Sequence, residues 1–299
     1  MIGCDCSAGL SNTGRPNCVP IQSVTSSLIL VPLFSNTGVR NGIDLTATLP
    51  AWNVDLVNNP DPSQRWFPLP AFENVELPKA DSQFEEAASG RKAFLRQGLR
   101  SFTGEFWAED STPTFLGKLQ ASRCVEFGIF IVDVNGNLVG SQEGDFLYPI
   151  PVDNASWDPK LMFATDSTIQ KIMLAFDWNR LFHEETLYMI TPTEAGINFN
   201  SLEGLIDVNF TDIVVAPLLD SLTFDAKTSY GTALNKVVFG GAVLADFVLT
   251  INGVVEAILT ITENTPGNYT ITFAPQSGGD VAEVTVDKLG FAGSFSVTL

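Results

Sequence analysis

Phe247-Val-Leu-Thr-Ile-Asn-Gly-Val-Val-Glu256 is the stretch from which the fold can be read. Two apolar, β-branched runs flank Asn252-Gly253, and these two residues most readily take the positive φ that a two-residue hairpin turn needs. Similar runs recur every eight to twelve residues on both sides: Ser221–Phe224, Lys236–Phe239, Val254–Thr262, Tyr269–Phe273, Val281–Val286 and Ser294–Leu299. Pro266-Gly267 and Gly278-Gly279-Asp280 punctuate them. Short strands at that spacing predict a two-layer sandwich over residues 216–299, appended to a larger β-rich body over 1–215.

Within the appended unit, Gly267-Asn268-Tyr269 opens a Tyr-Thr-Ile-Thr-Phe strand. It resembles the corner of Ig-like domains, where a buried tyrosine hydroxyl bonds back to preceding backbone. The segment has no cysteine, so the antibody-type pinning disulfide is absent, as in many bacterial and viral Ig-like modules.

A chain of 299 residues, 45% of them hydrophobic, can bury two cores. Ser26–Phe34 and Val237–Ile251 are the longest stretches low in charge, and neither is an 18-residue apolar run, so no membrane span is expected. Cys4 follows Met-Ile-Gly without a basic segment or apolar run before it, so neither lipid attachment nor a secretory leader is expected. Without such a leader, the sequons at Asn154, Asn209 and Asn268 read as chance matches.

The net charge of −18 argues against a protein that grips nucleic acid. Both parts are acidic, with 26 acidic against 13 basic residues in 1–215 and 8 against 3 in 216–299. Plain solubility explains such a balance, and so does a surface built to repel DNA that passes it.

The body divides into three zones. Residues 1–89 are rich in Pro, Asn, Asp, Gly and Ser around one apolar run, Ser27–Phe34, which predicts long loops around one or two strands and contact with a partner. Ala93–Trp107 reads as one long bent strand, with Phe102, Gly104 and Phe106 on one face and a bulge at Gly98 or Gly104. Thr112-Pro113 is an N-cap followed by proline at the first helical position, and Phe115, Leu116 and Leu119 make the apolar stripe of one short helix. Val125–Val134 and Asn137–Ser141 then flank Asn135-Gly136 as a second type I′ hairpin. In the third zone Asp166–Trp178 fits both periods; its β-rich surroundings favour a strand with Ile172, Leu174 and Phe176 on one face.

Candidate chemistry is sparse. Asp133-x-Asn135-Gly136-Asn137 has calcium-loop character, but the glycine is misplaced and the distal glutamate is off its spacing. His183, the only histidine, reads as a loop or strand-end residue. Glu143 with Asp145, or Glu105 with Asp110, could face a sugar as acid and base, although acidic residues are numerous enough for such pairs to arise by chance. Trp157, Trp178 and Tyr188 could stack on a glycan, against the plainer reading of core packing. Cys4, Cys6, Cys18 and Cys124 make no disulfide framework; reduced thiols are the leading reading, with an N-terminal disulfide or a metal site as alternatives. No catalytic, cofactor or metal residue is therefore assigned, and the chain is expected not to be an enzyme.

Arg91–Phe106, Thr114–Leu119, Phe130–Val139, Ser156–Lys160 and Ile169–Asp177 together resemble structural proteins of tailed bacteriophages infecting Bacteroidetes-type hosts. They are most similar to tail tube proteins, many of which carry a C-terminal Ig-like domain. The resemblance implies a tail-tube-like β-sandwich or barrel with one short flanking helix. Six copies would close into a ring and rings would stack into a conduit for the genome, assembled in the host cytoplasm and resident in the virion tail. The partners implied are further copies of the chain, other tail proteins and DNA in transit through an acidic lumen. Residues 1–89 would bridge subunits and the Ig-like domain would point outward, with a host-surface glycan as a possible ligand. Another virion component (head decoration, neck, connector or capsid protein) and a glycan-binding adhesin are the alternative readings.

Overall fold

The computed structural model describes residues 20–299. It shows a mainly β protein of several sheets with a half-barrel. Cys4, Cys6 and Cys18 lie outside the described residues, and Cys124 is an exposed free thiol.

Phe127–Asp133 (Phe-Gly-Ile-Phe-Ile-Val-Asp) is buried at all seven positions. Such an unbroken apolar run belongs to a strand covered on both faces. It pairs antiparallel with Thr25–Pro32 on one side and with Leu138–Glu143 and Ile150–Pro151 on the other, at the centre of an eight-stranded sheet. Phe127, Ile129 and Ile131 face one core with Phe102, Phe106, Trp157 and Phe176. Phe130 and Val132 face a second core with Trp52, Trp66 and Phe199. Gly128 permits the close approach of Ile150–Pro151: a Cβ there would lie 2.8 Å from the Ile150 carbonyl oxygen.

A four-stranded sheet closes the first core in the order Asp158–Met162, Lys171–Asp177, Ser101–Trp107, Glu73–Glu76. Ile172, Leu174 and Phe176 are buried and alternate with half-buried neighbours, so this segment is a strand. The helix forms at Pro113–Ala121, where the Thr112 side chain accepts from the Phe115 N–H at 3.3 Å. Leu119 is buried, and Phe115 and Leu116 pack partly buried against the same core. The Leu119 carbonyl accepts the Trp157 indole N–H at 2.7 Å, tying the helix end to the edge strand of the sheet.

Three local expectations are corrected. Ala93–Trp107 is not one bent strand: Lys92–Arg96 and Ser101–Trp107 lie in different sheets. The division falls at Gly98, where the Ala80 backbone comes so close that no side chain fits. Asn135-Gly136 is not a type I′ turn, because Gly136 has φ +79° while Asn135 is not among the positive-φ residues. The loop is instead the three-residue kind with glycine in the left-handed region. Val254–Thr262 also divides, into Val254–Glu256 and Thr260–Thr265, which pair in opposite layers of the C-terminal sandwich.

That sandwich packs a layer containing Asn268–Thr272 and Ser221–Gly231 against one containing Phe247–Ile251 and Val281–Val286. Leu222, Phe224, Tyr269 and Ile271 meet Leu249, Ile251 and Val284 between the layers. Asn252 and Gly253 have φ values of +50° and +79°, as a type I′ hairpin requires. The Tyr269 hydroxyl donates to the Phe239 carbonyl at 2.9 Å and accepts from the Ala242 N–H at 3.1 Å, so it clamps an earlier loop and not the turn beside it. The sandwich also takes in Ile206–Val215, from the stretch read as body: this strand pairs with Ser221–Gly231, and Val208, Phe210, Ile213 and Val215 pack in the same core.

The Asp133–Asn137 loop depends on one carboxylate. Asp133 is fully buried; its Oδ1 accepts from the Asn135 and Asn137 N–H groups, both at 2.9 Å, and its Oδ2 from the Ser23 N–H at 2.9 Å and the Asn137 side-chain amide at 2.7 Å. Burial pushes its pKa up, but these four donors outweigh burial and hold it below the ordinary value. With both oxygens occupied by N–H donors, the stretch weighed as a calcium loop is a hairpin lock.

Asp133→Ala strands four donors and lowers stability by about 2–4 kcal/mol in denaturant unfolding. Because the folded-state pKa is depressed, the carboxylate's contribution is full above about pH 4 and fades as pH falls through the lowered value, so the gap between Asp133→Asn and the native chain narrows in acid. Ending the chain after Leu205 leaves a soluble, cooperatively melting body, whereas ending it after Val215 exposes Val208, Phe210 and Val215 and yields aggregate by light scattering.

Candidate assembly surface

Gln83–Glu86 and Lys92–Arg96 form a two-stranded sheet that joins no other among the described residues. Every residue of both strands is exposed. Phe84 and Phe94 are directly paired, their rings 5.7 Å apart, and remain 55% and 50% exposed; Leu95, unpaired at the register shift beside them, is 57% exposed. An isolated hairpin is marginal in water, and an exposed Lys92–Glu86 ion pair at 3.6 Å adds little. The stem is firmly rooted: Ala80 N–H donates to the Leu99 carbonyl at 2.8 Å and Ser101 N–H to the Pro78 carbonyl at 3.0 Å. A rooted hairpin therefore carries apolar side chains that the described residues leave exposed.

A second apolar patch lies at one corner of the four-stranded sheet. Met162, Lys171 and Trp107 are cross-strand neighbours, and Met162, Trp107, Phe163 and Ile169 are all exposed. Asp158–Met162 is an edge strand whose outer side pairs with no strand among the described residues. Open edges of this kind are templates for pairing with another chain.

Of the carboxylate candidates, Glu105 and Glu143 are engaged by neighbouring side chains, while Asp145 is exposed. Glu105 accepts from Lys171 Nζ, from the Trp107 indole at 2.8 Å and from Asn74 at 2.9 Å. Burial pushes its carboxyl up, but these partners hold it below the usual range. Asp110 is pushed up by burial and by neighbouring Glu109. Glu143 pairs with Arg40 at 2.7 Å. His183 stands exposed just before the turn Glu184–Thr186, its Nδ1 3.3 Å from the Gln97 amide.

For two of the three aromatics the plainer reading of core packing holds. Trp157 is fully buried against Phe127 and Phe176, and Trp178 is 5% exposed, so neither presents a face to a sugar; Tyr188 is exposed. No helix among the described residues is long and apolar enough to cross a membrane. No protein-family model matches the chain, and no curated protein matches it.

Trp157→Ala removes a core ring and an anchor of the helix, so it lowers stability by about 3–5 kcal/mol in thermal or denaturant unfolding. Any ligand signal lost in that variant tracks its unfolding and not a missing contact.

Proposed function

We propose that the chain is a non-enzymatic structural protein of a tailed-phage virion, which self-assembles into stacked hexameric rings forming the tail tube, a conduit for genome delivery. The observation that carries this reading is the rooted hairpin whose Phe84, Phe94 and Leu95 are left uncovered. A soluble chain keeps such a surface when a neighbouring copy covers it. The open edge of Asp158–Met162 and the apolar corner at Trp107 and Phe163 supply further association surface. Heterologous contacts of this type close into rings when the rotation between copies permits. A net charge of −18 suits a channel that must not hold DNA.

The C-terminal sandwich is in this reading an Ig-like domain that points outward as an accessory. Its two layers, antiparallel except where Ile206–Asp207 pairs parallel with Phe291–Ala292, and the buried hydroxyl of Tyr269 support the assignment. In the virion, its partners are other tail proteins and surfaces met outside the tube.

Sedimentation velocity of the full-length chain over a concentration series tests the proposal against Phe84→Ser/Phe94→Ser/Leu95→Ser. The native chain forms large particles. The triple variant stays a single copy and keeps its melting temperature, since exposed substitutions shift stability by only about 0.5 kcal/mol. A native chain that never leaves the single-copy state, or a variant that assembles like it, contradicts the reading.

A further inference from the structure

The turn joining the hairpin stem to Ser101–Trp107 faces the Trp178–Glu184 loop across a cavity of about 60 Å³. Arg96, Arg100 and Arg180 line it, three of the eight arginines of the chain, together with Asn179, Trp178 and one acid, Glu184. Glu184 is already matched twice, accepting from Arg100 Nε at 2.6 Å and from Lys79 Nζ at 2.9 Å. Arg96 spends only its Nε, on the Gln83 side chain at 2.8 Å. Arg180 is exposed and enters no ion pair among the described residues. Trp178 is 5% exposed, and its indole nitrogen is buried with no hydrogen-bond partner among the described residues. The Arg100 guanidinium lies 5.3 Å from the centre of the Trp178 ring and holds the indole in place.

The lining thus has N–H donors in surplus over its one carboxylate. A buried N–H without a partner is a standing cost that an acceptor oxygen removes, and guanidinium forks match the two oxygens of a carboxylate or phosphate. The space is more than the roughly 10–15 Å³ that one water needs, so it can take an oxyanion group. On a chain of net charge −18 this cleft attracts what the rest of the surface repels.

We propose that the cleft is a receptor for a single oxyanion group, a carboxylate or a phosphate, with Arg96 and Arg180 supplying charge and the Trp178 indole a fixed donor. The group has two sources, an acidic side chain of a second copy of this chain or a free phosphate.

The test follows the indole N–H resonances of the five tryptophans in dilute, tryptophan-labelled full-length protein, with Trp178→Phe assigning the signal. Inorganic phosphate and a capped glutamate-containing peptide are titrated separately at constant ionic strength. The Trp178 resonance shifts saturably, and Arg180→Ala weakens the response about tenfold or more while Arg180→Lys retains part of it. A tighter response to the peptide assigns the site to an acidic side chain; a tighter response to phosphate assigns it to the free anion. No saturable shift with either, or an unchanged response in Arg180→Ala, overturns the proposal. Either result is independent of whether the chain forms rings.

Discussion

The Phe127–Asp133 strand is covered on both faces, and that double burial organises the body. Its odd positions require the four-stranded sheet and the Pro113–Ala121 helix as a lid; its even positions require Trp52, Trp66 and Phe199 on the other side. A strand buried on two faces cannot slip by one residue without driving Gly128 or Asp133 into the wrong layer. The Asp133 carboxylate fixes that register at the strand end by binding donors from three residues at once.

Charge sets the terms on which such a chain can associate. Copies with a net charge of −18 repel one another beyond contact distance, over a Debye length of about 8 Å at physiological ionic strength. Attraction must then come from short-range terms, and the hairpin, the corner around Trp107 and Phe163, and an unpaired strand edge are surfaces that can supply them. The arginine-lined cleft lies at the root of the same hairpin, so apolar and ionic contacts would be made by one element and its base.

Much of this was legible in the sequence where local chemistry decides. Thr112-Pro113 marked the helix start, Asn252-Gly253 the hairpin, and the alternation of Ile172, Leu174 and Phe176 a buried strand face. Asn135-Gly136 looked the same as Asn252-Gly253 but is preceded by Asp133, whose carboxylate binds the Asn135 and Asn137 N–H groups and selects the longer loop. The split of Ala93–Trp107 rests on a long-range contact, the approach of the Ala80 backbone to Gly98, which the local sequence does not contain. Ile206–Val215 was read with the body because a bulge between Thr211 and Val214, with Asp212 at φ +53°, breaks its period. The cleft joins Arg96 and Arg100 to Arg180, a juxtaposition that no spacing rule contains.

The central claim is that copies of this chain close into rings, and negative-stain electron microscopy of the purified full-length protein at high concentration tests it most directly. Sixfold rings or hollow tubes are the predicted result. A uniform population of particles the size of one copy, unchanged by concentration, would contradict the account.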